Sequence, residues 1–499
     1  MNVLWIRRIG VVAGPILAIL AWAFLPARYE GAAGEIASLG TGARGALAMM
    51  AWMATWWMTE AVDIEVTALL PLAAFPLLGI ASFQETALPY ASDVVYLFLG
   101  GFVLAMGVER SGLARRMALR IVRLSGTKPA GIVAGFMAAT ASLSMFVSNT
   151  ATAAMMVPIA LGVIDLVEKR CSGEDPAFRN FAIALLLAVA YSASVGGVGT
   201  IVGSPPNGIL VRFVHQTYGK EVSFARWMVI GMPFVLLFLP VVWLLLTRVL
   251  YPCRIPELAD SRGFIEEEIR RLGPMGRRER TVLWVFAATV ALWIFRPLLL
   301  GLRLAGSAPF AGLTDGGVAM LAALALFLAP VDFSRGIRAM DWKDAVRLPW
   351  GVLVLFGGGL SLAAAIENTG AAGFLAAAMG SLRGLPAMAV VTALTTATVF
   401  LSEVTSNTAQ TATMLPILAA MAPSLGTHPY LLMVPCALGA SSAYMMPVGT
   451  PPNAIVFGTG KMRIGQMIRA GFWLNLAGIV VIVALTRLIV VPLLGVRLP

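Results

Sequence analysis

Long apolar runs separated by short polar stretches follow one another along almost the whole chain. Runs long enough to cross about 30 Å of hydrocarbon lie at Gly10–Leu25, Ala43–Met58, Thr67–Ile80, Ser92–Val108, Phe181–Val202 and Met228–Leu250. Further ones follow at Val282–Leu298, Gly317–Pro330, Pro349–Ile366, Tyr430–Phe457 and Gly471–Leu494. Two stretches, 130–167 and 385–421, are each too long for one helix and carry a polar cluster at the midpoint, Ser148-Asn149-Thr150 and Ser406-Asn407-Thr408. A lipid-facing helix has no partner for such a cluster, whereas a helix that breaks and returns can bury its tip in protein or a wet cavity. The pattern predicts an all-α polytopic membrane protein of about 11 transmembrane helices with two re-entrant hairpins.

The two clusters are copies. Phe146 to Pro158 answers Val404 to Pro416 at an offset of 258, the distance from Asn149 to Asn407, and the same offset aligns Gly100-Gly101, Glu109 and Gly112 with Gly358-Gly359, Glu367 and Gly370. Internal duplication in a membrane protein is a frequent plan of secondary transporters. The expected organisation is an N-terminal transmembrane helix within 1–42, a first repeat over 43–250 and a linker over 251–280, followed by a second repeat over 281–499.

With 499 residues, 59% hydrophobic and 12% charged, the chain lacks the polar material to coat a soluble globule. Its net charge of +11 reads as an excess of Lys and Arg on cytoplasmic loops, not as a nucleic-acid surface. If both long stretches are hairpins and the N-terminus is cytoplasmic, the basic clusters Arg110–Lys128, Lys169-Arg170, Arg254–Arg280, Arg335–Arg347 and Lys461–Arg469 all fall inside, and the C-terminus falls outside. Five crossings then separate the hairpins, so the halves are inverted and their tips approach the midplane from opposite sides. The stretch Tyr251–Arg280, with Ile265, Ile269 and Leu272 among charges, predicts an amphipathic cytoplasmic helix. Cys171, Cys253 and Cys436 are far apart and His215 and His428 have no companions, so neither disulfides nor a zinc site is implied. An intramembrane enzyme would need paired aspartates or a histidine cluster, and the hairpins contain neither.

At a broken tip, the free N–H groups of the next helix suit a carboxylate, and the carbonyl and side-chain oxygens suit a small hard cation. Ser144 and Ser402, one turn upstream, can contribute. A second duplicated break follows at Gly203-Ser204-Pro205-Pro206-Asn207 and Gly449-Thr450-Pro451-Pro452-Asn453, where consecutive prolines forbid a continuous helix. No Lys or Arg lies within either hairpin to neutralise a dianion, so mobile cations are the economical answer.

These motifs, with Trp56-Trp57-Met58-Thr59-Glu60, Thr67-Ala68-Leu69-Leu70-Pro71 and Pro349-Trp350-Gly351 leading to Gly357-Gly358-Gly359, resemble the divalent anion/sodium symporter family, the INDY-type di- and tricarboxylate carriers, over nearly the whole chain. The resemblance implies a homodimer, a scaffold and a moving transport domain, and elevator-like alternating access, while the Ala, Arg and Gly bias of the chain suggests a bacterial inner membrane. One sodium would sit with Ser144, Ser148, Asn149 and the Gly203 carbonyl, and a second with Ser402, Ser406, Asn407 and the Gly449 carbonyl. A C4 dicarboxylate would meet Asn149, Thr150, Ser204, Asn407, Thr408, Thr450 and Pro451. Because the offset falls from 258 at the tripeptides to 246 between Asn207 and Asn453, Gly197 or Gly199 could replace Gly203. Glu403, just before the second tip, reads as a group for proton coupling or cation attraction, or more plainly as an N–H partner or an interfacial charge. Sodium-independent exchange, and carriage of sulfate or a tricarboxylate, use the same pattern.

Overall fold

A computed structural model describes residues 3–30, 35–168, 175–257, 259–303, 307–378 and 385–494; Lys169, Arg170, Cys171 and Arg383 lie outside them. Eight described helices are long and apolar enough to cross a membrane, with five shorter apolar helices beside them. The all-α expectation needs one addition, since two small antiparallel ribbons, Arg28–Glu30 with Ile36–Ser38 and Pro330–Asp332 with Ile337–Arg338, sit between helices.

The duplication read from the sequence is present in the backbone. Helix Asp93–Arg110 is matched by Trp350–Asn368, and each ends at a glycine in the left-handed region, Gly112 at φ 82° and Gly370 at φ 79°. Glycine occupies that conformation without a Cβ penalty, which is why both copies keep it. The arms Pro129–Ser144 and Asn149–Glu168 are matched by Ala387–Ser402 and Asn407–Ser424. Helix Phe224–Leu244 runs into a π-helical turn at Leu245–Leu250, and Ile464–Leu485 does the same at Thr486–Val490.

Each long stretch is two helices joined by a short turn, Met145–Ser148 and Glu403–Ser406. The second pair of breaks lies slightly upstream of the prolines. Helix Pro176–Gly197 stops before Val198 and the next begins at Pro205; helix Tyr430–Ala440 stops before Ser441 and the next begins at Pro451. The prolines stand in the first turn of the new helices, where a missing N–H costs nothing and a fixed φ helps. They start helices, and the unwound segments are 198–204 and 441–450. The apparent single run Tyr430–Phe457 is therefore two short helices around a loop.

The halves interlock. Pro205–Tyr218 packs against Asn407–Ser424 and Tyr430–Ala440, while Pro451–Gly458 packs against Asn149–Glu168 and Pro176–Gly197. Every residue from Phe181 to Gly197 is buried, as expected of a helix that is apolar all round. The predicted linker helix spans Ala259–Arg271 and packs on Leu113–Arg123 and Asn149–Glu168, with Ile265 buried. Phe264 lies over Gly162, where a Cβ would come within 2.5 Å of its ring. Arg116 is buried beneath the linker; it donates to Glu279 at 2.9 and 3.1 Å and to the Gly273 carbonyl at 2.9 Å.

Candidate substrate and cation site

Four helices begin at the motifs singled out by the sequence: at Asn149, Asn407, Pro205 and Pro451. Each carries a partial positive charge at that end, although the two that open on Pro-Pro have no N–H groups at their first two positions. Ser148 and Ser406 cap two of them, accepting from Ala151 N at 3.2 Å and Ala409 N at 3.4 Å. Thr450 caps a third, accepting from Asn453 N at 3.4 Å.

At the first tip, Ser144 Oγ stands 2.6 Å from Asn149 Oδ1 and 2.7 Å from the Ala193 carbonyl. At the second, Ser402 Oγ stands 2.8 Å from Asn407 Oδ1 and 2.6 Å from the Ala440 carbonyl. Both serines are fully buried. In each half three oxygens share a single hydroxyl proton. The Ala193 and Ala440 carbonyls were missed by the sequence reading, because a main-chain oxygen carries no residue signature.

The first site also gathers glycine backbone. A Cβ on Gly197 would stand 2.5 Å from Asn149 Oδ1 and 2.9 Å from the Gly203 carbonyl, so Gly197 and Gly203 border one small space beside the Asn149 amide. Gly199 faces the Met145 side chain and the Gly196 carbonyl instead. At the second site Gly449 lies against Glu403, Ala443 and the Met446 carbonyl.

The unwound segments are braced by the asparagines of the Pro-Pro-Asn motifs. Asn207 Nδ2 donates to the carbonyls of Gly197 at 3.0 Å and Thr200 at 2.8 Å; Asn453 Nδ2 donates to those of Ala443 and Met446, both at 3.1 Å. Their Oδ1 atoms are buried with no partner among the described residues. The two segments meet: Ser204 Oγ is 3.4 Å from Ser441 Oγ, and the Tyr191 and Tyr444 rings pack edge to face at 5.3 Å. Next to these contacts Ser148, Thr150 and Pro451 are exposed and Asn149, Asn407 and Thr408 half-buried, giving polar groups accessible to a ligand. Ser441 was not singled out by the sequence, although Ala440-Ser441 answers Ala193-Ser194.

The family described as the sodium:sulfate symporter transmembrane region matches residues 36–496. A protein of Staphylococcus saprophyticus, the sodium-dependent dicarboxylate transporter SdcS, is 43% identical over 453 residues, covering 90% of this chain and 86% of its own length. The protein of the same name from Staphylococcus aureus is 40% identical over 496 residues, covering 98% and 92%. Among solved structures, the YdaH transporter of Alcanivorax borkumensis superposes with a TM-score of 0.57 at 16% identity, covering 99% of this chain and 98% of that one, a likeness of fold alone. With duplicated tips, duplicated unwound segments and this agreement along nearly its full length, the chain belongs to the sodium:sulfate symporter family, the divalent anion/sodium symporters, which are membrane carriers and not enzymes.

Proposed function

We propose that this protein is a sodium-coupled importer of C4 dicarboxylates of the succinate, malate and fumarate type. The observation that carries the reading is the pair of oxygen triads, Ser144–Asn149–Ala193 and Ser402–Asn407–Ala440, each with one proton among three oxygens. Sodium is an oxygen-seeking cation and supplies the positive charge such a triad lacks. Turned over, either asparagine amide would donate to its serine and need no cation. Sodium dependence of transport therefore separates the two arrangements. The two relatives named for sodium-dependent dicarboxylate transport support the same reading.

In this mechanism sodium binds with Ser144, Ser148, Asn149, Gly203 and Gly197 in the first half and with Ser402, Ser406, Asn407 and Gly449 in the second. Bound cations and the four helix N-termini lower the cost of bringing a dianion to the midplane. The substrate's two carboxylates are met by Asn149, Thr150 and Ser204 on one side and Asn407, Thr408, Thr450 and Pro451 on the other. The two breaks of each half, 129–168 with 176–218 and 387–424 with 430–458, form the moving unit, carried against a scaffold by an elevator-like displacement. The hairpins are re-entrant and inverted, the N-terminus is cytoplasmic, the C-terminus lies outside, and the carrier works as a homodimer in a bacterial inner membrane.

The experiment is uptake of labelled succinate into proteoliposomes under an inward sodium gradient, against potassium, with and without internal succinate. Sodium-driven uptake into empty vesicles is expected. Uptake only into preloaded vesicles, indifferent to sodium, would make the protein an exchanger. Transport of sulfate in place of succinate would return the substrate to the one in the family's description.

A further inference from the structure

The two tip turns differ in charge at one residue. At the 258 offset, Glu403 takes the place of Met145 in the tip turn. Its carboxylate is buried and accepts five hydrogen bonds from four donors. Oε1 accepts from Tyr444 N at 2.7 Å, Met445 N at 2.9 Å and Asn475 Nδ2 at 2.7 Å; Oε2 accepts from Met445 N at 3.0 Å and Met446 N at 2.9 Å. Three consecutive main-chain N–H groups wrapped round a carboxylate form an anion nest. The asparagine brace, Asn453 on the Ala443 and Met446 carbonyls, is shared with the first half, where Met145 stands in place of the carboxylate. There neutral donors, the Asn207 amide and the Trp227 indole, hold the carbonyls of Gly197, Val198 and Thr200.

Glu403 is also adjacent to the second oxygen triad. It follows Ser402 directly, and its Oε2 would be 3.2 Å from a Cβ on Gly449. We infer that Glu403 is a positioning residue for the cation at the second tip, and that it makes the two cation sites unequal. It fixes residues 444–446, and with them the turn that leads to Gly449. It also places a fixed negative charge beside Ser402, Asn407 and Gly449, for which the first tip has only the thioether of Met145. The second site is then the tighter one and fills first as sodium rises, preparing the segment at Thr450 and Pro451 before the substrate arrives. This inference rests on the reading of the tips as sodium sites.

The test is the sodium dependence of succinate uptake, together with the sodium-induced rise in the melting temperature of the purified protein, for wild type, Glu403→Gln, Glu403→Asp and Asn475→Ala. Glutamine keeps the volume and one acceptor but removes the charge. Its sodium half-saturation should rise by about tenfold or more, the scale of one unit charge acting across a few ångströms of protein. Its succinate KM at saturating sodium should stay within about twofold of wild type. Aspartate, which keeps the charge, should recover most of the loss. A Glu403→Gln protein with lower maximal uptake but unchanged sodium half-saturation would overturn the inference and leave Glu403 as a brace only. Should Glu403→Gln not reach the membrane, Asn475→Ala decides: it keeps the charge and the main-chain bonds, and its half-saturation should rise about two- to threefold, with no change counting against the proposal. Sodium-indifferent uptake by the wild type would instead remove the underlying reading, and this inference with it.

Discussion

Gly197→Ala is the sharpest probe of the first tip. The added Cβ would stand 2.5 Å from Asn149 Oδ1, 2.9 Å from the Gly203 carbonyl and 3.1 Å from Asn149 Nδ2. Reaching an ordinary contact of 3.4 Å requires the Asn149 amide to retreat by about 0.9 Å. Its 2.6 Å contact with Ser144 cannot survive that shift, because Ser144 is held from the other side by the Ala193 carbonyl. One lost hydrogen bond, about 0.5–1.5 kcal/mol, adds to overpacking of about 1–3 kcal/mol. The combined penalty of about 2–4 kcal/mol falls on the site geometry, so kcat/KM for succinate should drop by about 30-fold or more. The methyl also fills the space beside Asn149, so excess sodium should not restore the rate. The assay is sodium-activated uptake in proteoliposomes, with size-exclusion chromatography to show that the variant is folded. The counterpart at the 246 offset is Ala443, which already carries a methyl, so Ala443→Gly should be mild. A Gly197→Ala protein with wild-type uptake and wild-type sodium half-saturation would refute the placement of Asn149 and Gly197 around one cation.

Asn149→Ala and Asn407→Ala should each abolish uptake while leaving membrane insertion intact, checked by transport beside detergent-solubilised yield; normal transport by both would move the site elsewhere. In a variant lacking the three native cysteines, Ser204→Cys with Ser441→Cys should form a disulfide under mild oxidant, visible as a mobility change reversed by reductant, because their hydroxyls lie 3.4 Å apart. Arg296 is buried and bonded to Glu221, Asp315 and the Leu313 carbonyl. Replacing it with Leu strands Asp315 and should cost about 3–5 kcal/mol, read as a lower melting temperature in detergent.

The parts of the fold that were legible in the sequence are those where side-chain identity dictates backbone. Gly112 and Gly370 mark left-handed helix ends, Ser148 and Ser406 are caps, and Asn149 and Asn407 open helices. The rest depends on atoms that every residue owns. The Ala193 and Ala440 carbonyls complete the triads only because the unwound segments run past the tips, and no residue type announces that path. The prolines misled by a few positions: they mark where a helix can start, and the helix before them had already ended at Gly197 and Ala440. Glu403 could be seen as unusual beside a tip, but its four donors come from segment 444–446 and from Asn475, distant in sequence. Arg116 looked like one more cytoplasmic charge until its partners, Glu279 and the Gly273 carbonyl, were in view.

The linker helix between the halves is fastened on two sides, to the first hairpin through Phe264 over Gly162 and to the Leu113–Arg123 helix through Arg115, bridged to Glu268 at 2.6 Å. In the proposed elevator displacement, the hairpin would have to carry the Ala259–Arg271 helix along or part it from the Leu113–Arg123 helix. Five residues, six steps from Cα to Cα, join Arg271 to Arg277 at the head of the next helix, a leash of about 20–22 Å at full stretch. Arg116, gripping both Glu279 and Gly273, is the clasp that keeps the leash short. Under the proposed elevator displacement the length of this loop would set an upper limit on the stroke, and shortening it by two or three residues should reduce transport without touching a single binding group.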